Sequence, residues 1–290
     1  MNSKRAGLLL LCLSLAPSLT ITPAGAEPAD QGRPAVAQTA VPADLDVIES
    51  AVAAGRLTQA RIMLGRLDIR TASGPRFDLL LGHYYLARHE DVLARESFKR
   101  ALSAQPNAAA ATGAGIASLR LGELAEARKY LQAAVAADER DARAWGGLGL
   151  VGDATGDWKA AETAYSKALH ISPDDPLILN NFGYSLMLQR RHAEALDLLG
   201  RAVKSATKEP AIRNNYRIAL ALSGDYAEAI NQPDADFDLA RQLNNAGYAA
   251  WLNRDIPAAR ALLARAIEAK PTHYGLAERN LAMVEQEASK

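Results

Sequence analysis

Residues 142–175 read ARAWGGLGLVGDATGDWKAAETAYSKALHISPDD, and this stretch decides the fold. Counted from Ala142 as position 1, Trp145 stands at 4, Leu148 and Gly149 at 7 and 8, and Gly156 at 15. Ala161 follows at 20, Tyr165 at 24, Ala168 at 27 and Pro173 at 32. Small residues at 8, 20 and 27 let two helices approach closely, while large ones at 4, 7 and 24 fill the space between them. Gly156 permits a tight turn and Pro173 stops the second helix. One such hairpin cannot bury its apolar face alone, so the pattern predicts a stack.

Working outward, the same register runs through residues 41–290. Units are expected over 41–74, 75–107, 108–141, 142–175, 176–209, 210–239 and 240–273, with a capping helix over 274–290. Alanine recurs at position 20 of every unit: Ala60, Ala94, Ala127, Ala161, Ala195, Ala229 and Ala259. This pattern resembles the tetratricopeptide repeat (TPR) family. The resemblance implies an all-α fold, a right-handed superhelical solenoid of helix-turn-helix repeats closed by a C-terminal cap. The unit at 210–239 lacks four residues. Its second helix should begin near Tyr226 and stop before Asn231-Gln232-Pro233-Asp234, with a bend before the next unit.

Lysine plus arginine equals aspartate plus glutamate at 33 each, so no global field points to nucleic acid or an anionic membrane. Residues 1–26 read as a secretory signal: Lys4 and Arg5, a short apolar core, then Ala24-Gly25-Ala26 as a cleavage site. Residues 27–40 read as a flexible linker rich in Pro, Ala and Gly. The only cysteine, Cys12, follows Leu9-Leu10-Leu11. Leu11 occupies the place where a lipoprotein signal needs a small residue, so Cys12 reads as lost with the leader rather than acylated. The expected location is the periplasm, with association to the outer membrane left open.

Catalytic and metal chemistry find no support. Gly147-Leu148-Gly149-Leu150-Val151-Gly152 matches a dinucleotide fingerprint in letters only, because its glycines sit inside a helix instead of between strand and helix. His83, His89, His170, His192 and His273 fall in different places along the array, without the spacing that joins two imidazoles on one metal. No cofactor, small-molecule substrate or nucleic acid is expected.

Asparagine doublets mark the candidate binding surface. Asn180-Asn181, Asn214-Asn215 and Asn244-Asn245 fall at positions 5 and 6 of successive units. Asparagine is a poor helix former, and positions 2, 5, 6, 9, 12 and 13 of first helices look into the groove of a TPR array. An amide there offers a donor and an acceptor to the backbone of an extended peptide, with Tyr184 and Tyr248 beside it at position 9. Amide bonds between neighbouring repeats are the alternative reading. Position 6 of earlier units is Leu80, Gly113 and Gly147, which places the expected peptide site in the C-terminal half.

The runs NNFGYSLMLQRRHAEALDLLGRAV, RNNYRIALALSGDYAEAI and LNNAGYAAWLNRDIPAARALLARAIEAKPTHYGLAERNLAMVE resemble the TadD family of tight-adherence (Flp) pilus assembly proteins. That resemblance implies an envelope adaptor for a secretin or another pilus component. A general scaffold for outer-membrane or cell-wall biogenesis, or a regulatory subunit recruiting an envelope enzyme, stays open.

Overall fold

The computed structural model describes residues 42–67, 73–206, 209–232, 238–270 and 274–289. The leader, the linker, Pro233, Pro271 and His273 lie outside the described residues. The described residues form fifteen helices and no strand. Internal contacts divide the chain between Pro173 and Asp174 into two compact units, and this boundary coincides with a repeat junction.

The N-terminal unit contains four hairpins. They are α1 (Pro42–Ala53) with α2 (Leu57–Leu64), α3 (Pro75–Ala87) with α4 (Asp91–Ala104), α5 (Ala108–Arg120) with α6 (Leu124–Ala137), and α7 (Ala142–Thr155) with α8 (Trp158–Ile171). Each first helix packs on its own second helix, and within this unit α1 also packs on α3, α3 on α5 and α5 on α7. The core follows from that arrangement. One buried cluster joins Ile48, Ala51 and Ala60 to Leu80 and Tyr84. A second joins Phe98 and Ala101 to Ala110 and Ala114, and a third joins Leu131 and Ala134 to Ala144 and Val151. Every cluster straddles two repeats, which is why the hairpin alone would not be stable.

The C-terminal unit continues with α9 (Pro176–Leu188), α10 (His192–Ser205), α11 (Pro210–Leu222), α12 (Tyr226–Asn231), α13 (Leu239–Leu252), α14 (Ile256–Glu268) and α15 (Gly275–Ala288). The shortened unit behaves as its sequence predicts: α12 starts at Tyr226 and has only six residues. First-helix packing nevertheless carries across it, since α13 contacts both α11 and α12. The last helix, α15, packs on α13 and α14 and exposes Arg279, Glu285 and Glu287 outward.

Helix ends are set locally. The carboxylates of Asp141 and Asp157 accept from the backbone N–H of Ala144 and Ala160 at 2.8 and 3.1 Å. At the junction 174–175 the cap is Asp175, which accepts from Leu177 and Ile178 N–H, while Asp174 instead lies 3.4 Å from Arg201. Such caps satisfy N–H groups that a helix leaves unpaired.

Candidate protein-binding surface

The asparagines sit on the first helices α9, α11 and α13, and the stack treats the two positions differently. At position 5, Asn214 and Asn244 are buried. Asn280 of α15 donates its amide to the Asn244 carbonyl oxygen at 2.9 Å, and Asn244 in turn donates to Asn245 at 3.4 Å. Asn215 donates to Asn180 at 2.9 Å, and Asn180 donates to Asn181 at 3.2 Å. These are amide relays across neighbouring helical repeats. At position 6, Asn181, Asn215 and Asn245 remain half-buried. Tyr184 is half-buried as well, whereas Tyr248 is buried and tilted against Trp251 with ring centroids 5.3 Å apart. The structure thus keeps the three position-6 amides half-exposed and buries Asn214 and Asn244 at position 5, while Asn180 stays half-buried. Burial raises the Tyr248 phenol above its ordinary range, so its hydroxyl stays protonated.

Sequence reasoning missed a second feature, a cavity of about 550 Å³ in the N-terminal unit. Its lining falls wholly at the groove positions: Arg143 at 2, Leu79 at 5, Leu80 at 6, Glu49 and His83 at 9, Val52 and Leu86 at 12, and Ala53, Ala87 and Arg120 at 13. The signal was present in the same register, as cationic residues at positions 2 and 13. His83 lies edge-on to Phe98 at 5.1 Å. Burial, and secondarily the charge of Arg143, hold its imidazole below the usual range, so it is neutral near pH 7.

Position 6 of the N-terminal unit has a packing cause. A Cβ on Gly113 would lie 2.3 Å from the Phe98 ring, and one on Gly147 would lie 2.8 Å from Leu131. Both partners belong to the preceding repeat. A larger side chain at either place would push the repeats apart, so no asparagine stands there. Among the described residues, no cluster of three His, Cys, Asp or Glu side chains is placed to hold a metal ion.

Fold and surface define a tetratricopeptide-repeat protein, an interaction scaffold whose generic role is to bind other proteins. The chain belongs to the TPR family described as the cilia and flagella-associated protein 70 C-terminal domain, whose model matches residues 49–250. No curated protein matches the chain in sequence. Among solved structures, the APC/C hetero-tetramer Cut9-Hcn1 is similar with a TM-score of 0.62 at 18% identity, over 82% of this chain and 48% of that one. The chain therefore spans about half the length of that relative. Pseudomonas aeruginosa pilF aligns with a TM-score of 0.53 at 18% identity, over 74% and 97% of the two chains. The C-terminal part of a TPR repeat-containing protein from Cytophaga hutchinsonii gives 0.54 at 16% identity, over 82% and 99%. At these identities the likeness is one of fold, an all-α TPR solenoid.

Proposed function

We propose that this chain is a non-catalytic TPR adaptor of the bacterial envelope that holds an extended segment of a partner protein, and that it assists assembly of a pilus or secretin-type machine. The observation that carries the binding role is the row of half-buried amides Asn181, Asn215 and Asn245, repeated in register on three first helices. An extended chain presents N–H and C=O groups at short regular intervals, so such amides meet it with little demand on its sequence. Tyr184 adds apolar area and a hydroxyl beside them. The envelope and pilus part rests on the signal-like leader and on the TadD-like runs of residues 176–290.

Each amide contact is worth on the order of 1 kcal/mol net, so replacing all three by alanine should weaken partner binding roughly a hundredfold. The experiment compares capture of partners from an envelope extract by the wild type and by the triple variant. Asn280→Ala is the control, since it cuts the Asn280–Asn244 bond between neighbouring helical repeats and leaves every bond of the position-6 amides in place. It should lower the melting temperature and leave capture intact. A folded triple variant that captures the same partners equally well sinks the binding row. Recovery of no pilus or secretion component by the wild type removes the machine assignment.

A further inference from the structure

Total charge is balanced over the chain, but the second helix of the first hairpin carries charge of one sign. From Ser50 to Leu67 the sequence holds Arg56, Arg61 and Arg66 and no acidic residue. All three are exposed and none forms an ion pair among the described residues, Arg56 donating only to Gln59 at 3.0 Å. Arg56 and Arg66 line an open hollow of about 710 Å³ on α2, together with Ile62 and Met63. We propose that the second helices of the first two hairpins, α2 and α4, rest on an anionic phospholipid surface, with the arginines on headgroup phosphates and Ile62, Val92 and Leu93 dipping into the layer behind.

The apolar part departs from the repeat register. Position 22 is Ile62 in α2, where α4, α6, α8 and α10 carry Glu96, Lys129, Thr163 and Asp197. Position 19 is Leu93 in α4, where α6, α10 and α12 carry Glu126, Glu194 and Glu228. Ile62, Val92 and Leu93 are 46%, 52% and 49% exposed, and among the described residues they are the large hydrophobic side chains that second helices leave exposed. Packing within the hairpin does not require them, since polar residues serve at the same positions elsewhere.

Nearby carboxylates do not cancel the arginines. Those described on the first hairpin, Asp44, Asp46 and Glu49, all stand on α1, and the last two turn to Arg76 of α3. On the next hairpin Glu90 and Asp91 are held by Arg88 and Arg120. Packed helices lie about 8–10 Å apart, close to the screening length at physiological salt, so α2 presents its own sign to what lies outside it. Three half-exposed side chains fall far short of the roughly 800 Å² per partner that a stable protein interface buries. A bilayer accepts small apolar insertions and attracts each of several spread cations, and a guanidinium meets phosphate oxygens at two points. This docking needs only α2 and α4 and is independent of the asparagine row.

The test uses the full chain carrying Cys12→Ser and Thr58→Cys, labelled at the new thiol with an environment-sensitive dye. Vesicles of phosphatidylcholine and phosphatidylglycerol in equal parts should shift the dye to the blue, and vesicles of phosphatidylcholine alone should not. Added salt should weaken the effect. Each arginine near such a surface strengthens binding roughly fivefold, so Arg56, Arg61 and Arg66 replaced together by glutamine should weaken it roughly a hundredfold. Ile62→Asp with Leu93→Glu introduces the residue types that α10 carries at the same positions, and should remove the shift while circular dichroism shows the helices intact. Asn181, Asn215 and Asn245 replaced together by alanine should leave the shift unchanged, which separates this face from the C-terminal row. An equal shift with neutral vesicles, or one that survives both sets of substitutions, overturns the proposal. Loss of the shift in excess inorganic phosphate at constant ionic strength would mark a site for free phosphate and overturn it too. So would a shift produced by an amphipathic Glu-Leu peptide and not by vesicles, which would assign the face to a protein helix.

Discussion

Gly149 is pressed so closely onto Tyr165 that a Cβ on the glycine would stand 2.5 Å from the ring. The same contact joins Gly82 to Phe98, Gly115 to Leu131, Gly183 to Leu199 and Gly247 to Leu263, at 2.5 to 2.7 Å. Position 8 is small because position 24 of the same hairpin lies over it. The Tyr165 ring cannot readily yield, since its hydroxyl donates to Asp153 at 2.8 Å and the side chain is fully buried.

Gly149→Ala should therefore destabilise the protein. Overpacking costs about 1–3 kcal/mol, while alanine returns up to about 1 kcal/mol of helix propensity, so the clash wins. Gly200→Ala in α10 is the contrast, because its Cβ would meet only Tyr216 at an ordinary 3.6 Å. It should stabilise by about 0.5–1 kcal/mol. Urea melts of the two variants should move in opposite directions from wild type.

The turn position offers a second expectation. Position 15 carries a positive φ in all seven hairpins, and three of these residues are not glycine: His89, Arg190 and Arg254, at 60°, 66° and 63°. A side chain in that conformation costs about 1–2 kcal/mol, partly offset by the chain entropy that glycine adds to the unfolded state. Replacing all three by glycine should raise the thermal midpoint by several degrees. No rise, or a fall, in a calorimetric scan would show that these side chains contribute contacts worth more than the strain.

Arg217 replaces the usual small residue at position 8 of the short repeat, and it is 3% exposed. Its second helix, α12, ends at Asn231, short of position 24. The guanidinium instead lies 3.4 Å from the carbonyl of Gln232, at the C-terminal end of α12, where a cation is favoured. Arg217→Gly, which restores the small residue of the other units, should cost about 2–4 kcal/mol rather than stabilise. Hydrogen exchange should show faster opening of α12 than of α10 in that variant.

Stability should fall on the alkaline side. Burial first, and then the charge of Asp153, hold the Tyr165 phenol well above its ordinary value, and burial also raises Tyr248 and Tyr274. A raised folded value means the folded chain keeps protons that the unfolded chain releases. The stabilisation is thus complete below the unfolded value of about 10 and is lost as pH rises through that value toward the folded one. Urea midpoints measured from pH 8 upward should drop beyond about pH 10, and Tyr165→Phe should flatten that drop. An unchanged slope in Tyr165→Phe would assign the alkaline loss to other groups.

The residues along the chain determined the hairpin, its length, its turn and the early end of α12. All of these rest on contacts within one repeat, such as Gly149 with Tyr165, or on backbone conformation at a single position such as Gly156. Tertiary structure alone decided what the inner surface offers. Asn244 and Asn245 are neighbours with the same side chain, yet Asn280, a helix of the next repeat away, takes the first into the interior and leaves the second half-exposed. Glu49 and Arg143 both line one cavity, yet Arg76 binds the first, together with Asp46, while no described residue forms an ion pair with the second. Each of these outcomes depends on a side chain 27 to 36 residues away along the chain. Periodicity places such a residue on the right helix face, but only the packed stack fixes which polar groups it satisfies and which it leaves for a partner.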